Sequence, residues 1–477
     1  MKQLKAGLEI HQQLDSGKLF CRCPGFLRQD NPDYKIERKL HAIAGEMGEV
    51  DEAVKHEAAK DKVFEYECYN NNVCLVDLDE EPPREISKEA LKISLQIALL
   101  LNCDIVQDTQ VMRKTVIDGS NVSGFQRTML IGQGGYVETS KGKVGIAKVI
   151  LEEDAARIIK KGDQKNVYRL DRLGIPLVEI TTDPDIDDPV VAKEAALKIG
   201  DILRACKVKR GIGTIRQDVN MSVKFSDKWS ERIEMKGVQE PELIIKSIEN
   251  EIKRQKNLVE KGESVAEVRN VLADGKSEFM RPLPGAARMY PETDLKLFHI
   301  DRDFINEIRR NLPKLRSEVK KDLKKEGLSD EMLNLVLNNN KIEDYKELLQ
   351  LYNQPNFIVK MLVLWPSEIA KKKNKDIEEI EEHLHLDVME EVINNLKKKK
   401  IDEEDVKGVL NKIVDGVPIE EALKKEEIDN LEDEILKIVK TKPGLTMNGY
   451  MGLIMKEFGG KVSGGEIMKI LKKVVKE

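Results

Sequence analysis

Leu4-Lys-Ala-Gly-Leu-Glu-Ile-His11 opens the first patterned segment of the chain, and Ile215-Arg-Gln-Asp-Val-Asn-Met-Ser-Val-Lys224 repeats its logic. In the first, Leu4, Ala6, Leu8 and Ile10 alternate with Lys5, Gly7, Glu9 and His11. In the second, Ile215, Gln217, Val219, Met221 and Val223 alternate with Arg216, Asp218, Asn220, Ser222 and Lys224. Successive side chains of a strand point to opposite faces, so a period of two predicts half-buried strands of a largely antiparallel sheet. The polar half of each strand carries acids, an imidazole or a guanidinium. Any chemistry then sits on one face of that sheet.

Helices are interleaved with these runs. Ser87 is placed to cap a helix reaching about Leu101, and Asp188 with Pro189 to start one reaching about Cys206. Pro241 opens a third, from Glu242 to about Glu260. Residues 1–300 therefore read as α+β, one cradle-like domain built on an antiparallel sheet. The segment from Thr214 to Gly237 reads as a hairpin turning over Ser226 to Ser230. Beyond residue 300 the pattern is helical and dense in Lys and Glu. It divides into an all-α domain over 301–400 and a small helical tail domain over 401–477. The runs Lys371 to Lys373 and Lys397 to Lys400 fit solvated helix faces, with nucleic-acid contact as the alternative.

Composition narrows the class. The chain has 477 residues, 35% charged and 40% hydrophobic, which fits a globular protein of several domains. Lys plus Arg number 80 and Asp plus Glu 86, a net charge of -6, so the chain is no uniformly basic nucleic-acid coat. The sequence offers no apolar run of membrane-spanning length and no secretory signal pattern at Met1 to Ile10. A cytoplasmic location is the expectation.

No GxxxxGK[ST] loop, GxSxG elbow or HExxH is present. Gly132, Gly134 and Gly135 do not complete GxGxxG and read as a turn. What remains is acids on strands. Glu9 and His11 share a strand face. Val144 to Leu151 delivers Glu152, Glu153 and Asp154 at its end, and Glu179 lies on the alternating run from Ile175 to Thr181. Several carboxylates and an imidazole on one face repel unless a cation joins them, and oxygen donors with one nitrogen suit Mg²⁺ or Mn²⁺. Each acid taken alone reads as a surface residue. The hairpin adds Arg216, Asp218 and Asn220 on one strand and Arg232, Glu234 and Lys236 on the other. These serve either as cross-strand pairs or as a cradle for a phosphoryl group and its metal. Cys21 and Cys23 form a CxC, and Cys68 and Cys74 follow. The four thiols would close a structural zinc site or pack as small hydrophobes.

At these residues the sequence resembles a known family. Gly7-Leu-Glu-Ile-His11-Gln, Leu19-Phe-Cys-Arg-Cys-Pro24, Leu151-Glu-Glu-Asp-Ala155, Gly174-Ile-Pro-Leu-Val-Glu-Ile180 and Ile215-Arg-Gln-Asp-Val-Asn-Met-Ser-Val223 follow the order of the B/E family of tRNA-dependent amidotransferase subunits. Gly124-Phe-Gln-Arg127 and Glu278-Phe-Met-Arg-Pro-Leu-Pro-Gly-Ala-Ala-Arg-Met-Tyr-Pro-Glu-Thr-Asp294 resemble the archaeal E branch, the glutamyl-tRNA(Gln) amidotransferase E subunits.

The resemblance implies a cradle distantly similar to glutamine synthetase, then the helical domain and a YqeY-type tail that hold tRNA. It implies an enzyme working with an asparaginase-like D subunit, as a heterodimer or a dimer of heterodimers. ATP and Mg²⁺ would serve to phosphorylate the γ-carboxylate of Glu on tRNA(Gln), and ammonia from the partner would then amidate it. His11, Glu153 and Glu179 match the family's metal ligands. Glu9, Arg216, Asp218 and Lys236 are the expected catalytic group, and Asn220 and Glu152 the expected nucleotide contacts. Archaeal E subunits carry an aspartyl-tRNA-synthetase-like insert before Glu278. Here Leu272-Ala-Asp-Gly-Lys-Ser277 bridges that point, so the insert is missing near 270–278, and Asp274-Gly275 is a tight-turn sequence. The competing readings are a bacterial-type B subunit acting on Asp-tRNA and Glu-tRNA, and a tRNA-binding module without catalysis. In the tail, lysines outnumber acids after Thr441, and Gly459, Gly460, Gly464 and Gly465 precede a helix starting near Glu466, a pattern suited to phosphate.

Overall fold

The structure is a computed structural model and describes residues 4–42, 48, 50, 52–225, 227–283, 289–339, 341–424, 431–458 and 464–474. It divides into two compact units, Met1–Arg316 and Ser317–Glu477.

The first unit is built on a twelve-stranded sheet. Its central order is Ile233–Lys236, Ile215–Phe225, Leu4–Gln13, Pro176–Thr182, Gly142–Glu153 and Phe125–Thr139. Neighbours in this run are antiparallel. Ile233–Lys236 then pairs in parallel with Glu267–Val271, and that strand pairs antiparallel with Ser277–Pro282 at one end of the sheet. Leu4, Ala6, Leu8 and Ile10 are almost fully buried and share one core with Leu91, Ile93, Val191, Ile199, Ile244 and Ile248. Helices Lys88–Leu100, Pro189–Ala205 and Pro241–Lys261 therefore cover this apolar face. A smaller four-stranded sheet, with Tyr66, Cys68 and Tyr168 in its core, packs separately.

Local chemistry explains the boundaries. The Ser87 hydroxyl accepts from the Ala90 amide, and the Asp188 carboxylate accepts from the Val190 amide at 2.7 Å beside Pro189. Both caps stand where the sequence places them, whereas Glu240 before Pro241 makes no side-chain cap. Gly262, at φ 75°, closes that third helix.

Two local expectations are corrected. Gly132, Gly134 and Gly135 form no turn; they lie inside the long strand Phe125–Thr139. A Cβ at Gly135 would stand 2.4 Å from the Leu101 carbonyl oxygen, so the glycines admit the end of the first long helix against the sheet. The strand pairing of the hairpin extends inside the stretch Ser226 to Ser230. Lys228–Trp229 is itself a strand, pairing Trp229 with Lys224 and Lys228 with Phe225. At 272–276 a tight turn does form, with Gly275 at φ 82° and Val271 opposite Ser277.

Packing also places the boundaries beyond residue 300. Ile305 and Ile308 of helix Arg302–Arg310 belong to the core of the first unit. In the second unit one helical core runs from Leu323 to Ala422 and includes Val406, Leu410 and Ile413. A separate small core joins Ile435, Tyr450, Ile454, Ile467 and Leu471. Residues 401–422 thus pack with the preceding helices rather than with the tail, because the apolar face of Glu403–Val414 completes the earlier core. Of the tail glycines, Gly459 and Gly460 lie outside the described residues, and Gly464 begins helix Gly464–Val474.

Candidate active site

The face of the large sheet opposite the helices lines a cavity of about 910 Å³. Strand register decides which side chains enter it. His11 lies opposite Glu179, Glu179 opposite Ile150, and Leu177 opposite Glu152. Directly opposed residues share a face, so His11, Glu179 and Glu152 point the same way, as does Glu9 two residues before His11. His11 Nε2 stands 3.5 Å from Glu179, 3.6 Å from Glu9 and 3.8 Å from Glu152. Donor atoms of His11, Glu152 and Glu179 all lie within 4.8 Å of one another, and so do those of Glu9, His11 and Asp218.

Glu153 does not join this group. It opposes Pro176, one step out of phase, and its carboxylate faces Arg127, whose amide donates at 3.3 Å and whose guanidinium lies at 3.5 Å. Of the expected trio, His11 and Glu179 come together, with Glu152 beside them, and Glu153 lies on the other face of its strand. A one-residue step on a strand reverses the face. Burial pushes the Glu153 carboxyl above the usual carboxylate range, against the pull of Arg127.

The hairpin residues do enter the cavity. Arg216, Asp218, Asn220, Arg232, Glu234 and Lys236 all line it. Lys236 bonds Asp218 at 2.7 Å and Glu234 at 2.6 Å, and the Gly237 amide donates to Asp218 at 3.1 Å. Arg216 reaches Asp154 at 2.9 Å. Two lining lysines escape the sequence pattern. Lys114 bonds Glu152 at 2.9 Å and approaches Glu179 at 3.8 Å, and Lys148 lies on the same wall. Lys114 comes from the four-residue strand Met112–Thr115, too short for its alternation to be read.

Electrostatics match an ion site. Burial and the neighbouring Glu179 push the Glu9 carboxyl upward. Burial disfavours a charged His11, but the Glu179 hydrogen bond and the charges of Glu152, Glu179 and Glu9 outweigh it and raise its pKa. Glu179 is held down to about 2: burial opposes this, and His11 and Lys114 prevail. A proton on His11 here answers the same three close carboxylates that a divalent cation would answer. The donor set of three carboxylates and one imidazole fits Mg²⁺ or Mn²⁺.

The cysteines form a second cluster. Cys21, Cys23, Cys74 and Asp77 bring their donor atoms within 4.8 Å of one another. Cys68 stands apart in the core of the small sheet, its thiol near the Tyr66 carbonyl at 3.6 Å. The fourth position belongs to Asp77, three residues after Cys74, and the spacing Cys-x-x-Asp was the available signal. Lys18 also reaches Asp77, at 3.1 Å.

Residues 4–306 match the family model described as the GatB/GatE catalytic domain. The chain belongs to this family. It is 37% identical to the glutamyl-tRNA(Gln) amidotransferase E subunit of Methanocaldococcus jannaschii, over 99% of this chain and 98% of that one. Proteins of the same name from Methanothermobacter thermautotrophicus and Archaeoglobus fulgidus are 34% and 32% identical, covering 92% and 99% of this chain and 91% and 98% of the relatives. The Methanocaldococcus alignment runs over 629 positions against 477 residues here, so that relative carries residues without a counterpart in this chain. The GatB/GatE match ends at residue 306 and thus spans the sheet and its cavity. Among the described residues no helix is long and apolar enough to cross a membrane.

Proposed function

We propose that this chain is the E subunit of an ATP-dependent amidotransferase that converts Glu-tRNA(Gln) to Gln-tRNA(Gln). One observation carries the reading: His11 meets Glu9, Glu152 and Glu179 in one cavity rimmed by lysines and arginines. In this proposal Glu152, Glu179 and His11 hold Mg²⁺, with Glu9 and Asp218 close enough to complete or orient the site. Bound there, the ion neutralises phosphate charge and aligns the phosphates of ATP. Arg216, steadied on Asp154, and Lys236, steadied on Asp218 and Glu234, present fixed cations toward phosphate oxygens. Asn220 offers an amide on the same wall. A carboxylate has no good leaving group for attack by ammonia. Phosphorylation of the γ-carboxylate supplies one, and ammonia then forms the C–N bond as phosphate departs. The cavity's work is positioning and charge neutralisation.

Ammonia would come from an asparaginase-like D subunit, and the helical and tail segments would contribute to tRNA binding. Zinc belongs to this proposal at Cys21, Cys23, Cys74 and Asp77. Elemental analysis of the purified chain should give about one zinc per chain, abolished by Cys23→Ser with Cys74→Ser. Absence of zinc from the unsubstituted chain returns the cysteines to packing.

The decisive test combines the chain with an archaeal D subunit, glutamine, ATP, Mg²⁺ and Glu-tRNA(Gln). Gln-tRNA(Gln) should form with ADP and phosphate. A chain that binds the tRNA but neither hydrolyses ATP nor amidates the Glu would refute the catalytic reading.

A further inference from the structure

The cavity continues past its rim. Arg281, on strand Ser277–Pro282, lines that cavity and also lines two smaller pockets of about 170 and 320 Å³. Met280 lines both smaller pockets as well. The strand stands at the end of the sheet order. Its register jumps at Met280: Arg281 opposes Val268 while Phe279 opposes Arg269. Such a bulge re-aims side chains, and bulges recur beside active sites. Here it leaves Phe279 and Met280 at 59% and 52% exposure.

Beyond Arg281 the larger pocket is lined by Lys60, Lys62 and Lys161. Lys60 and Lys161 are exposed and Lys62 is half-buried. Lys60 also meets Glu57 at 2.6 Å, and Lys62 donates to the Gly162 carbonyl at 2.8 Å. Glu57 and Asp118 share the pocket, so the lysines outnumber the acids without forming a uniform basic field. The cavity is thus joined at Arg281, on a bulged edge strand that also exposes Phe279, to a lysine-lined groove.

We propose that this groove seats the single-stranded 3′ end of the RNA whose amino acid enters the cavity. The inference rests on the amidotransferase reading. The amino acid is esterified to the 3′-terminal ribose, so a γ-carboxylate beside Glu152 brings the last nucleotides to the cavity rim. Single strands are held by cations that follow the backbone and by aromatic faces that stack bases, with little demand on sequence. Arg281, Lys60, Lys62 and Lys161 supply the first element, and Phe279, exposed two residues from Arg281 on the same strand, would supply the second. The groove takes phosphates and unpaired bases, while discrimination among tRNAs lies elsewhere.

The test uses the assembled enzyme with its D partner. Lys60→Glu with Lys161→Glu alters exposed side chains and spares the core. Phe279→Ala is the second variant. The expected result is a KM for Glu-tRNA(Gln) raised about tenfold or more, with kcat and the KM for ATP within about twofold of the unsubstituted enzyme. The salt dependence of tRNA binding should also flatten, by about 0.7 in log–log slope for each phosphate no longer neutralised. A photoreactive base at the tRNA 3′ terminus should crosslink to the peptide containing Phe279 and Met280. Unchanged KM and no crosslink there would overturn the proposal. Loss of association with the D partner at unchanged tRNA affinity would also overturn it and make the groove a protein interface. An unsubstituted enzyme that does not amidate Glu-tRNA(Gln) would fail the underlying reading and take the groove with it.

Discussion

Glu152 and Glu153 are neighbours in sequence and opposites in circumstance. Glu152 meets His11 and Lys114 on the wall of an open cavity, where three carboxylates crowd around the one imidazole. Glu153 lies behind the same strand, facing Arg127, which is bonded in turn to Glu292 at 2.8 Å, while Glu292 also pairs with Arg113. In the second cluster the buried Glu153 and Glu292 are paired with Arg127 and Arg113, Arg113 also reaches the exposed Asp294 at 3.3 Å, and Phe125 and Tyr290 lie against the guanidiniums. A buried network of close ion pairs fixes structure, whereas carboxylates crowded on one imidazole beside an open cavity can take up a cation. Counting acids does not distinguish the two clusters. Burial and access to the cavity do.

The most severe test of that contrast removes a group from the open cluster. Glu152→Gln and His11→Ala should each lower amidation at least about a hundredfold and weaken Mg²⁺ binding in calorimetry, with unfolding temperature nearly unchanged. Loss of folding in both variants would show that the open cluster is structural. The buried cluster should respond in the opposite manner. Arg127→Leu leaves Glu153 buried without its nearest cation and should destabilise the first unit by ~3 kcal/mol or more in denaturant unfolding. Mg²⁺ affinity should hold, and a large loss of affinity at full stability would erase the distinction.

A pH series sharpens the comparison with a smaller effect. His11 is raised above its ordinary value of 6.5. In metal-free protein its protonated form therefore adds stability that is complete below that value and is lost as pH rises through the elevated one. Metal binding should run the other way. Imidazole must shed its proton to ligate, so Mg²⁺ affinity should fall several-fold as pH drops through the same window. His11→Ala should flatten both profiles, and an unaltered Mg²⁺ profile would remove His11 from the ligand set. The smallest effect belongs to the turn at 272–276. Gly275→Ala places a Cβ 2.9 Å from that of Lys246 at φ 82°, and should cost ~1–2 kcal/mol without touching Mg²⁺ affinity.

Much of the site was legible because alternation is local. Glu9 with His11, and Arg216, Asp218 and Asn220 together, followed from a period of two along single strands. The caps at Ser87 and Asp188 followed from residue type and spacing. The choice between Glu152 and Glu153 did not follow, because both end one apolar run and either phase suits its pattern. Lys114 was hidden by the shortness of its strand, and Asp77 by attention to cysteine alone.

From residue order alone came the α+β character of the first 300 residues, the helical character of the rest, and the family motifs. These depend on interactions between near neighbours in the chain and on the apolar period. Register depended on the fold. The pairing of Leu177 with Glu152, and of Pro176 with Glu153, decided which carboxylate meets His11. The 910 Å³ cavity, the substitution of Asp77 for Cys68, and the joining of Arg281 to Lys60, Lys62 and Lys161 arise between segments far apart in sequence. Their positions are set by how sheets and helices pack, and side-chain pattern within any one segment carries no record of that distance.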